Sequence, residues 1–193
     1  MTIAGLILAS GRASRFGSDK RATLIDATTP MLHAVFRAFE ALDGPVFSVI
    51  PLGDDFGLAA CTAFGVIPVI NANADAGMGN SLALGMKAIM AQGSVTGIVI
   101  GLADMPWVKP QTIALIAQTL AMKQQLVVPI YDEKPGHPRG LPAAAFSDLC
   151  SATGDEGARH LVDWSAAVRL TVDDEGILQD VDTPQDLAAC RSQ

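Results

Sequence analysis

The feature that most constrains this chain is a stretch near its amino terminus, residues 6–20, in which an apolar run gives way to a loop with two glycines and several basic residues. The apolar run predicts a β-strand. Gly11 and Gly17 allow the backbone to turn tightly and to approach a ligand closely, so that main-chain N–H groups can point at anionic oxygens. The stretch therefore predicts a strand that leads into a phosphate-binding loop.

The basic residues of the chain are concentrated in this loop. The 193 residues include 13 Lys and Arg against 20 Asp and Glu, for a net charge of −7. Four of the 13 basic residues stand within ten positions, at Arg12, Arg15, Lys20 and Arg21. Such a local concentration of cations in an acidic chain indicates binding of a small polyanion, and no nucleic-acid partner is expected.

The glycine spacing differs from the two commonest nucleotide-binding motifs. A Walker loop has four residues between its glycines and a Lys directly after the second, whereas here five residues separate Gly11 from Gly17 and two more precede Lys20. The Gly-x-Gly-x-x-Gly fingerprint of dinucleotide-binding domains does not occur. On the loop alone, a plain connection between a strand and a helix remains open beside a phosphate-binding role.

The residues from Leu8 to Lys20 resemble the nucleotide-binding signature of the nucleotidyltransferases that complete the molybdenum cofactor, and within this family they are most similar to the cytidylyltransferase branch. Later segments match in the same order and spacing, at 77–82, 102–106, 136–138, 154–159 and 180–184. The match spans nearly the whole chain. Two positions depart from the family's usual residues: Ala13 stands where Ser is usual, and Ser10 where Ala or Gly is usual.

Short apolar runs alternate with longer helical patterns along the chain, which is typical of a parallel sheet covered by helices. The predicted strands are 3–9, 46–50, 66–70, 97–102, 127–130 and 168–172, and the predicted helices begin near residues 30, 56, 81, 110, 158 and 184. Thr29, Asn80 or Ser81, and Thr183 are the predicted side-chain caps. The resemblance implies an α/β, Rossmann-like three-layer sandwich of the nucleotide-diphospho-sugar transferase type, with a mostly parallel sheet and helices on both faces. We expect one domain over residues 1–193.

Composition excludes several classes of protein. No apolar run reaches the roughly 20 residues needed to span a bilayer, and the amino terminus lacks the pattern of a secretory signal peptide. We therefore expect no membrane partner and a cytoplasmic location. Cys61, Cys150 and Cys190 are odd in number and far apart, which predicts neither a disulfide framework nor a zinc site, and we expect all three to be mostly buried.

Two carboxylates are predicted to hold a metal ion. Asp104 follows a continuous apolar run that predicts a buried central strand, and ligands of doubly wound folds lie beyond the carboxyl ends of the strands. A cap or turn role is the alternative for Asp104, but Pro106 already fixes the turn and a separate helix begins at Pro110. Asp182 has two candidate roles, helix cap or metal ligand, and the resemblance favours the metal. We expect the two aspartates to hold Mg²⁺.

The resemblance implies further contacts with two substrates. The expected nucleotide-binding residues are Leu8, Ala9, Ser10, Gly11, Arg12, Arg15, Lys20, Asn71, Gly77 and Ser81. The expected acceptor-binding residues are His137, Arg139, Asp155 and Arg159. On local sequence alone, Asn71 is a loop residue in water, His137 an exposed loop residue and Asp155 part of an acidic helix start, and these alternatives stay open.

The chain has no evident pairing of a nucleophile with a base, which favours direct nucleotidyl transfer over covalent catalysis. An acceptor phosphate is already ionised, so that the protein need only align it and neutralise charge on the α-phosphate, with Arg15, Lys20, Asp104 and Asp182 in the catalytic roles. By resemblance the acceptor is molybdopterin bearing molybdenum and the product is its cytosine dinucleotide. The resemblance also implies transient contact with a molybdoenzyme client or its chaperone.

The donor base is predicted from Ser10. Its side chain adds a Cβ and a hydroxyl where relatives that accept guanine usually have Gly, which predicts CTP over GTP. Two alternatives remain: a transferase of the same fold that uses GTP or another phosphorylated acceptor, and a cofactor carrier or dinucleotide-dependent oxidoreductase on this scaffold. The combination of Lys20 with Asp104 and Asp182 counts against the second, because a carrier needs no divalent metal.

Overall fold

The structure is a computed structural model that describes residues 1–11, 19–155 and 157–190. Eight strands occur in these ranges: β1 Thr2–Leu8, β2 Val46–Pro51, β3 Ile67–Asn71, β4 Val95–Leu102, β5 Val127–Tyr131, β6 Lys134–Pro135, β7 Arg139–Pro142 and β8 Val168–Thr171. The helices in the same ranges are α1 Met31–Phe39, α2 Asp55–Phe64, α3 Met78–Met90, α4 Pro110–Lys123, α5 Phe146–Cys150, α6 Ala158–Leu161 and α7 Pro184–Cys190.

The strands form one mixed sheet in the order β3-β2-β1-β4-β7-β5-β6, with β8 paired to β5. β1 runs parallel to β2 and β4, β2 to β3, and β5 to β8. β7 runs antiparallel to both β4 and β5. The expected α/β fold with a mostly parallel sheet is therefore confirmed. The segment 131–140, for which the sequence predicts no strand, supplies β6 and the start of β7.

Helices cover both faces of the sheet because alternate residues of the central strands point to opposite sides. On one face, Ile3 and Ile7 of β1 pack in a cluster with buried residues of α1, α2 and α4. On the other, Ala4 and Leu6 pack with buried residues of α3 and α5. Each fully buried large side chain contributes about 2 kcal/mol through removal of apolar surface from water. The three layers predicted from the sequence are confirmed.

Only one of the three predicted side-chain caps is present. Thr183 Oγ1 accepts a hydrogen bond from the backbone N–H of Asp186 at 3.3 Å, and Asp186 Oδ2 accepts one from the N–H of Thr183 at 2.7 Å, as in a capping box. α1 begins directly after Pro30 and has no side-chain cap, so that Thr29 does not serve as one. α3 begins at Met78, ahead of Asn80 and Ser81, because Gly77 turns the backbone into the helix with a φ of 92°.

Cys61 is buried, as expected, and Cys150 is partly exposed, whereas the side chain of Cys190 lies outside the described residues. Burial, together with the nearby charge of Asp54, raises the pKa of the Cys61 thiol to about 11. Cys61 is therefore a packing residue and not a thiolate nucleophile. In the ranges that the structure describes, no helix combines the length and the apolar character needed to cross a bilayer.

Candidate active site

A cleft of three adjoining parts lies at the carboxyl ends of β1 and β4, and Leu8 borders all three. The wide part, of about 390 Å³, is bordered by Ser10, Gly11, Ala74, Asp75, Gly77, Met78, Ser81, Leu102, Asp104 and Asp155. The polar part, of about 180 Å³, is bordered by Ala9, Gly11, Lys20, Arg21, Ala103, Asp104 and Asp182. The apolar part, of about 140 Å³, is bordered by Met78, Leu82, Ile100, Leu102, His137, Arg139, Leu141, Gly157 and Ala158. This is the edge of the sheet at which α/β proteins bind ligands.

The polar part brings together three of the predicted catalytic side chains. Lys20 Nζ donates to Asp104 Oδ2 at 3.1 Å and to Asp182 Oδ1 at 3.3 Å. The two aspartates, far apart in sequence, are held side by side because the N–H of Val181 donates to the carbonyl oxygen of Asp104 at 2.9 Å. Asp186 Oδ2 also accepts a hydrogen bond from the N–H of Asp182 at 3.0 Å. The two carboxylates thus lie side by side with Lys20 between them. Asp104 follows β4, whereas Asp182 lies between the 3-10 helix Glu175–Leu178 and α7.

The oxygen atoms of this pair fit a divalent cation. Asp104 Oδ1 is buried and has no hydrogen-bond partner among the described residues. A buried carboxylate oxygen without a partner is costly unless a ligand satisfies it. The described residues contain no cluster of three or more His, Cys, Asp or Glu that could hold a metal ion by themselves. One or two carboxylates are nevertheless the usual protein contribution to a Mg²⁺ that is also bound by substrate phosphates.

Arg21 has a different role from the one expected of it. Its guanidinium group donates to both carboxylate oxygens of Asp19, to Oδ2 of Asp54 and to the carbonyl oxygen of Ala9. The position of Arg21 in the basic cluster of residues 12–21 predicts a charge that faces phosphate. The structure corrects this, because its charge is offset by two carboxylates of the protein.

The side chains of Ser10 and Asn71 lie beneath the wide part. Ser10 is only 2% exposed, and its Oγ lies 2.5 Å from Ser81 Oγ. Asn71 Nδ2 donates to Ser81 Oγ at 3.1 Å, while Asn71 Oδ1 accepts from Asn73 N and Asn80 Nδ2. Asn71 is absent from the described lining of the cleft and supports its wall. The hydroxyl of Ser10 is therefore paired with Ser81, which also borders the wide part.

Gly77 and the first turn of α3 pack directly on the segment that contains Asp155. The N–H of Gly79 donates to the carbonyl oxygen of Gly154 at 2.8 Å. A Cβ on Gly77 would clash with the same carbonyl oxygen, and the positive φ of Gly77 also requires glycine. This backbone contact brings Asp155 to the border of the wide part, on the side of the expected nucleotide loop.

His137 and Arg139 both border the apolar part. The N–H of His137 donates to the carbonyl oxygen of Ile177 at 3.0 Å, which fixes the loop against the 3-10 helix Glu175–Leu178. Arg139 lies over the ring of Trp164, with 4.6 Å from Cζ to the ring centroid. Burial, with a smaller effect of the Arg139 charge, lowers the pKa of His137 to about 4. His137 is therefore a neutral, largely buried imidazole, unlike the exposed loop residue that local sequence favours.

The lowered pKa of His137 predicts a pH dependence of stability. The unfolded chain binds a proton at His137 near pH 6.5, whereas the folded protein binds it only near pH 4, so that stability is full above pH 6.5 and falls as the pH drops toward 4. Lowering the pH from 7 to 5 should decrease the free energy of unfolding by about 2 kcal/mol through this residue. Urea unfolding of the wild type and His137→Gln at both pH values measures it. An equal pH dependence in the two proteins would contradict the burial of a neutral His137.

Some predicted residues cannot be placed. Arg12, Arg15 and Gly17 lie outside the described residues, as does the side chain of Arg159. Two residues that support the site were not predicted from the sequence. Asp54 pairs with Arg21, and Asp186 accepts a hydrogen bond from the backbone N–H of Asp182. The Thr-x-x-Asp pattern at 183–186 is a capping signal that points to Asp186, but no comparable signal identifies Asp54.

Two carboxylates and a lysine lie together in a cleft at the strand ends of an α/β sheet, an arrangement suited to binding phosphates together with a divalent cation. The family model described as the MobA-like NTP transferase domain matches residues 5–170. The chain therefore belongs to the MobA-like NTP transferase family, which confirms the family resemblance seen in the sequence. This family assignment covers most of the chain but does not by itself name the nucleotide.

Individual relatives agree with the family. The molybdenum cofactor guanylyltransferase of Cupriavidus taiwanensis is 28% identical over 198 aligned positions, which cover 97% of this chain and 95% of the relative. The crystal structure of Rv0371c from Mycobacterium tuberculosis has a TM-score of 0.79 at 24% identity, with 100% of both chains covered. A second structure of that protein, in complex with manganese, has a TM-score of 0.76 at 24% identity and covers 98% of this chain and 97% of the other.

Proposed function

We propose that this protein transfers a nucleoside monophosphate from a nucleoside triphosphate to the phosphate of molybdenum-bearing molybdopterin and releases pyrophosphate. The observation that carries the proposal is the pair Asp104 and Asp182, joined by Lys20 in the polar part of the cleft. The relative from Cupriavidus taiwanensis, matched over nearly its whole length, supports the choice of acceptor. One domain, a cytoplasmic location and transient contact with a molybdoenzyme or its chaperone remain predictions within this proposal.

The reaction needs no covalent enzyme intermediate. An oxygen of the acceptor phosphate forms a bond to the α-phosphorus of the triphosphate, and the bond from that phosphorus to the α,β-bridging oxygen breaks. Pyrophosphate leaves with the bonding electron pair, so that no proton has to be removed from the attacking oxygen. The contribution of the protein is alignment of the two phosphates and neutralisation of their charge.

Asp104 and Asp182 are the residues that would hold Mg²⁺, and the manganese complex of the Mycobacterium tuberculosis protein supports a divalent metal in this fold. When bound, Mg²⁺ supplies positive charge to the phosphate oxygens and orients them. With the two carboxylates engaged by the ion, Lys20 would be free to turn its Nζ to a phosphate oxygen of the nucleotide. Lys20 thus has a carboxylate-bound and a phosphate-bound state in this proposal.

The shape of the cleft suggests where the two substrates lie. The triphosphate fits the polar part, beside Gly11 and Lys20, and the base fits the wide part, beside Leu8 and Gly77. The acceptor fits the apolar part and the adjoining Asp155, where a flat ring can contact Met78 and Leu102. Because His137 is neutral there, it suits a hydrogen bond to a ring rather than a charge pair with phosphate.

The nucleotide is proposed to be GTP. The relative from Cupriavidus taiwanensis is a guanylyltransferase, which favours GTP over the CTP expected from the sequence. The contact between Ser10 and Ser81 agrees with this choice, because it engages the Ser10 hydroxyl and reduces its capacity to hydrogen-bond a cytosine edge. CTP remains the second candidate, since Ser10 still places a side chain where the family usually has Ala or Gly.

The role of Ser10 is tested by comparing kcat/KM for GTP and CTP in the wild type and in Ser10→Gly. We expect the wild type to prefer GTP and the variant to keep that preference within about threefold, because one pocket group that faced the base would change it roughly 10- to 200-fold. A wild type that prefers CTP, with a preference lost in Ser10→Gly, would establish the second candidate instead.

The transferase proposal itself is tested by pyrophosphate release. The protein is mixed with GTP, Mg²⁺ and molybdenum-bearing molybdopterin, and each component is omitted in turn. We expect pyrophosphate only when all are present. Binding of the cofactor without pyrophosphate release from any nucleoside triphosphate would indicate a carrier.

A further inference from the structure

We propose that Arg21 is a positioning residue that fixes both ends of the nucleotide-binding loop and does not itself bind phosphate. This inference rests on the proposed function only in taking the ligand to be a nucleoside triphosphate. Arg21 borders the polar part of the cleft directly after Lys20, so that a phosphate contact is the obvious alternative. Its hydrogen bonds decide against that alternative.

The donors of Arg21 are nearly all used within the protein. A guanidinium group has five N–H donors. Nε and Nη2 donate to Oδ1 and Oδ2 of Asp19 at 2.9 and 2.7 Å. Nη1 donates to the carbonyl oxygen of Ala9 at 2.9 Å and to Asp54 Oδ2 at 2.5 Å. With respect to the described residues, these four bonds leave one donor, on Nη2, so that Arg21 would have to break an existing pair to bind a phosphate through two donors.

The three partners belong to three segments that meet at the cleft. Ala9 directly follows β1, and Asp19 caps the 3-10 helix Lys20–Ala22, which carries Lys20. Asp54 caps α2, where its Oδ1 accepts a hydrogen bond from the N–H of Gly57 at 2.9 Å. The guanidinium group therefore ties residue 9 to residue 19, the two sides of the loop, and anchors both to α2. A shift of Asp19 would carry Lys20 away from Asp104.

Charge and burial support the same conclusion. The side chains of Arg21 and Asp54 are only 11% and 6% exposed. Burial alone would lower the pKa of Arg21, but hydrogen bonds to Asp19 and Asp54 outweigh it and leave the pKa raised, so that the group stays charged. One guanidinium between two carboxylates adds no net positive charge for a polyanion. Removing a carboxylate from such a buried pair is disruptive because the remaining charge is left without its partner.

The test replaces the carboxylates rather than the arginine. Asp54→Asn and Asp19→Asn preserve size, and Asn keeps a carbonyl oxygen that can cap the same helix. If Arg21 bound phosphate, either change would release it and remove a negative charge, so that Mg²⁺–GTP and Mg²⁺–CTP would bind more tightly. Positioning predicts the opposite, a loss of roughly tenfold in nucleotide affinity by calorimetry, as is usual when an orienting partner is removed. Unchanged or tighter binding in both variants would overturn the proposal.

Asp174→Asn is the matched control for a general loss of stability. Asp174 is also buried and accepts hydrogen bonds from Lys109 N, Thr112 Oγ1 and Gly176 N, but it is not among the described residues that line the cleft. We expect this variant to lose stability and keep its nucleotide affinity. Arg21→Lys, which retains the charge without the planar fork, should bind nucleotide as weakly as Asp54→Asn.

A second readout separates this proposal from the function. If the wild type binds neither nucleotide, the proposed function fails, and hydrogen exchange then decides the role of Arg21. We expect peptides covering residues 9–22 to exchange faster in Asp54→Asn than in the wild type, with no such change in Asp174→Asn. Equal exchange in all three proteins would overturn the positioning role.

Discussion

Replacing Asp104 with Asn is expected to lower kcat for nucleotidyl transfer by about a thousandfold while the protein stays folded. Asn keeps the size of the side chain but removes the charge that would hold the divalent ion. Loss of several kcal/mol of transition-state stabilisation corresponds to a decrease of this size. The buried Asp104 Oδ1, which has no partner among the described residues, is the atom on which this expectation depends.

The measurement is single-turnover transfer at saturating Mg²⁺ and nucleotide, with circular dichroism to verify folding. Asp43→Asn is the matched control, because Asp43 is an exposed carboxylate beside the amino end of β1, away from the cleft. We expect Asp43→Asn to retain the wild-type rate. Wild-type turnover in Asp104→Asn would show that Asp104 does not hold the metal ion.

Replacing Lys20 with Ala should have two effects of opposite sign. Nucleotide affinity should fall at least about tenfold and kcat about a hundredfold, because a phosphate loses a charge-assisted hydrogen bond. Binding of Mn²⁺ in the absence of nucleotide should become tighter, since Asp104 and Asp182 lose the internal cation that joins them. The first effect reports the phosphate-bound state of Lys20 and the second its carboxylate-bound state.

Calorimetry with nucleotide and electron paramagnetic resonance of free Mn²⁺ measure these two effects separately. Lys87→Ala, at an exposed position on α3, is the control for loss of a positive charge from the surface. If Lys20→Ala weakens neither nucleotide binding nor transfer, Lys20 does not bind a phosphate of the nucleotide. Weaker binding of Mn²⁺ alone would likewise show that Lys20 does not compete for the carboxylates.

The parts of the fold that the sequence predicted well are those set by local patterns. The apolar runs at β1 and β4 are buried because they lie in the middle of the sheet, and Asp104 follows β4 as expected of a strand-end carboxylate. The antiparallel strand β7 was missed because Arg139 and Gly140 carry no strand pattern of their own. Its position depends on pairing with β4, which is more than 35 residues away in sequence.

The parts of the site that were missed depend on contacts between distant residues. Lys20 meets Asp182 across 162 positions, and Arg21 meets Asp54 across 33. A count of basic residues could not distinguish Lys20 from Arg21. In the structure, Lys20 pairs with the two carboxylates that are proposed to hold a metal ion. Arg21 is instead held in ion pairs with Asp19 and Asp54. In the same way, the prediction for Ser10 used only the size of its side chain. The partner of its hydroxyl is Ser81 on α3, which is distant in sequence.

Product identity is the most direct test of the central claim, which is nucleotidyl transfer to molybdopterin. Molybdenum-bearing molybdopterin is incubated with the protein, Mg²⁺ and equal concentrations of ATP, CTP, GTP and UTP, and the products are analysed by mass spectrometry. The account predicts one predominant dinucleotide, carrying GMP, and one pyrophosphate for each dinucleotide formed. A predominant CMP adduct would change the nucleotide only, whereas unmodified molybdopterin with all four nucleotides left intact would contradict the claim that this protein is a molybdopterin nucleotidyltransferase.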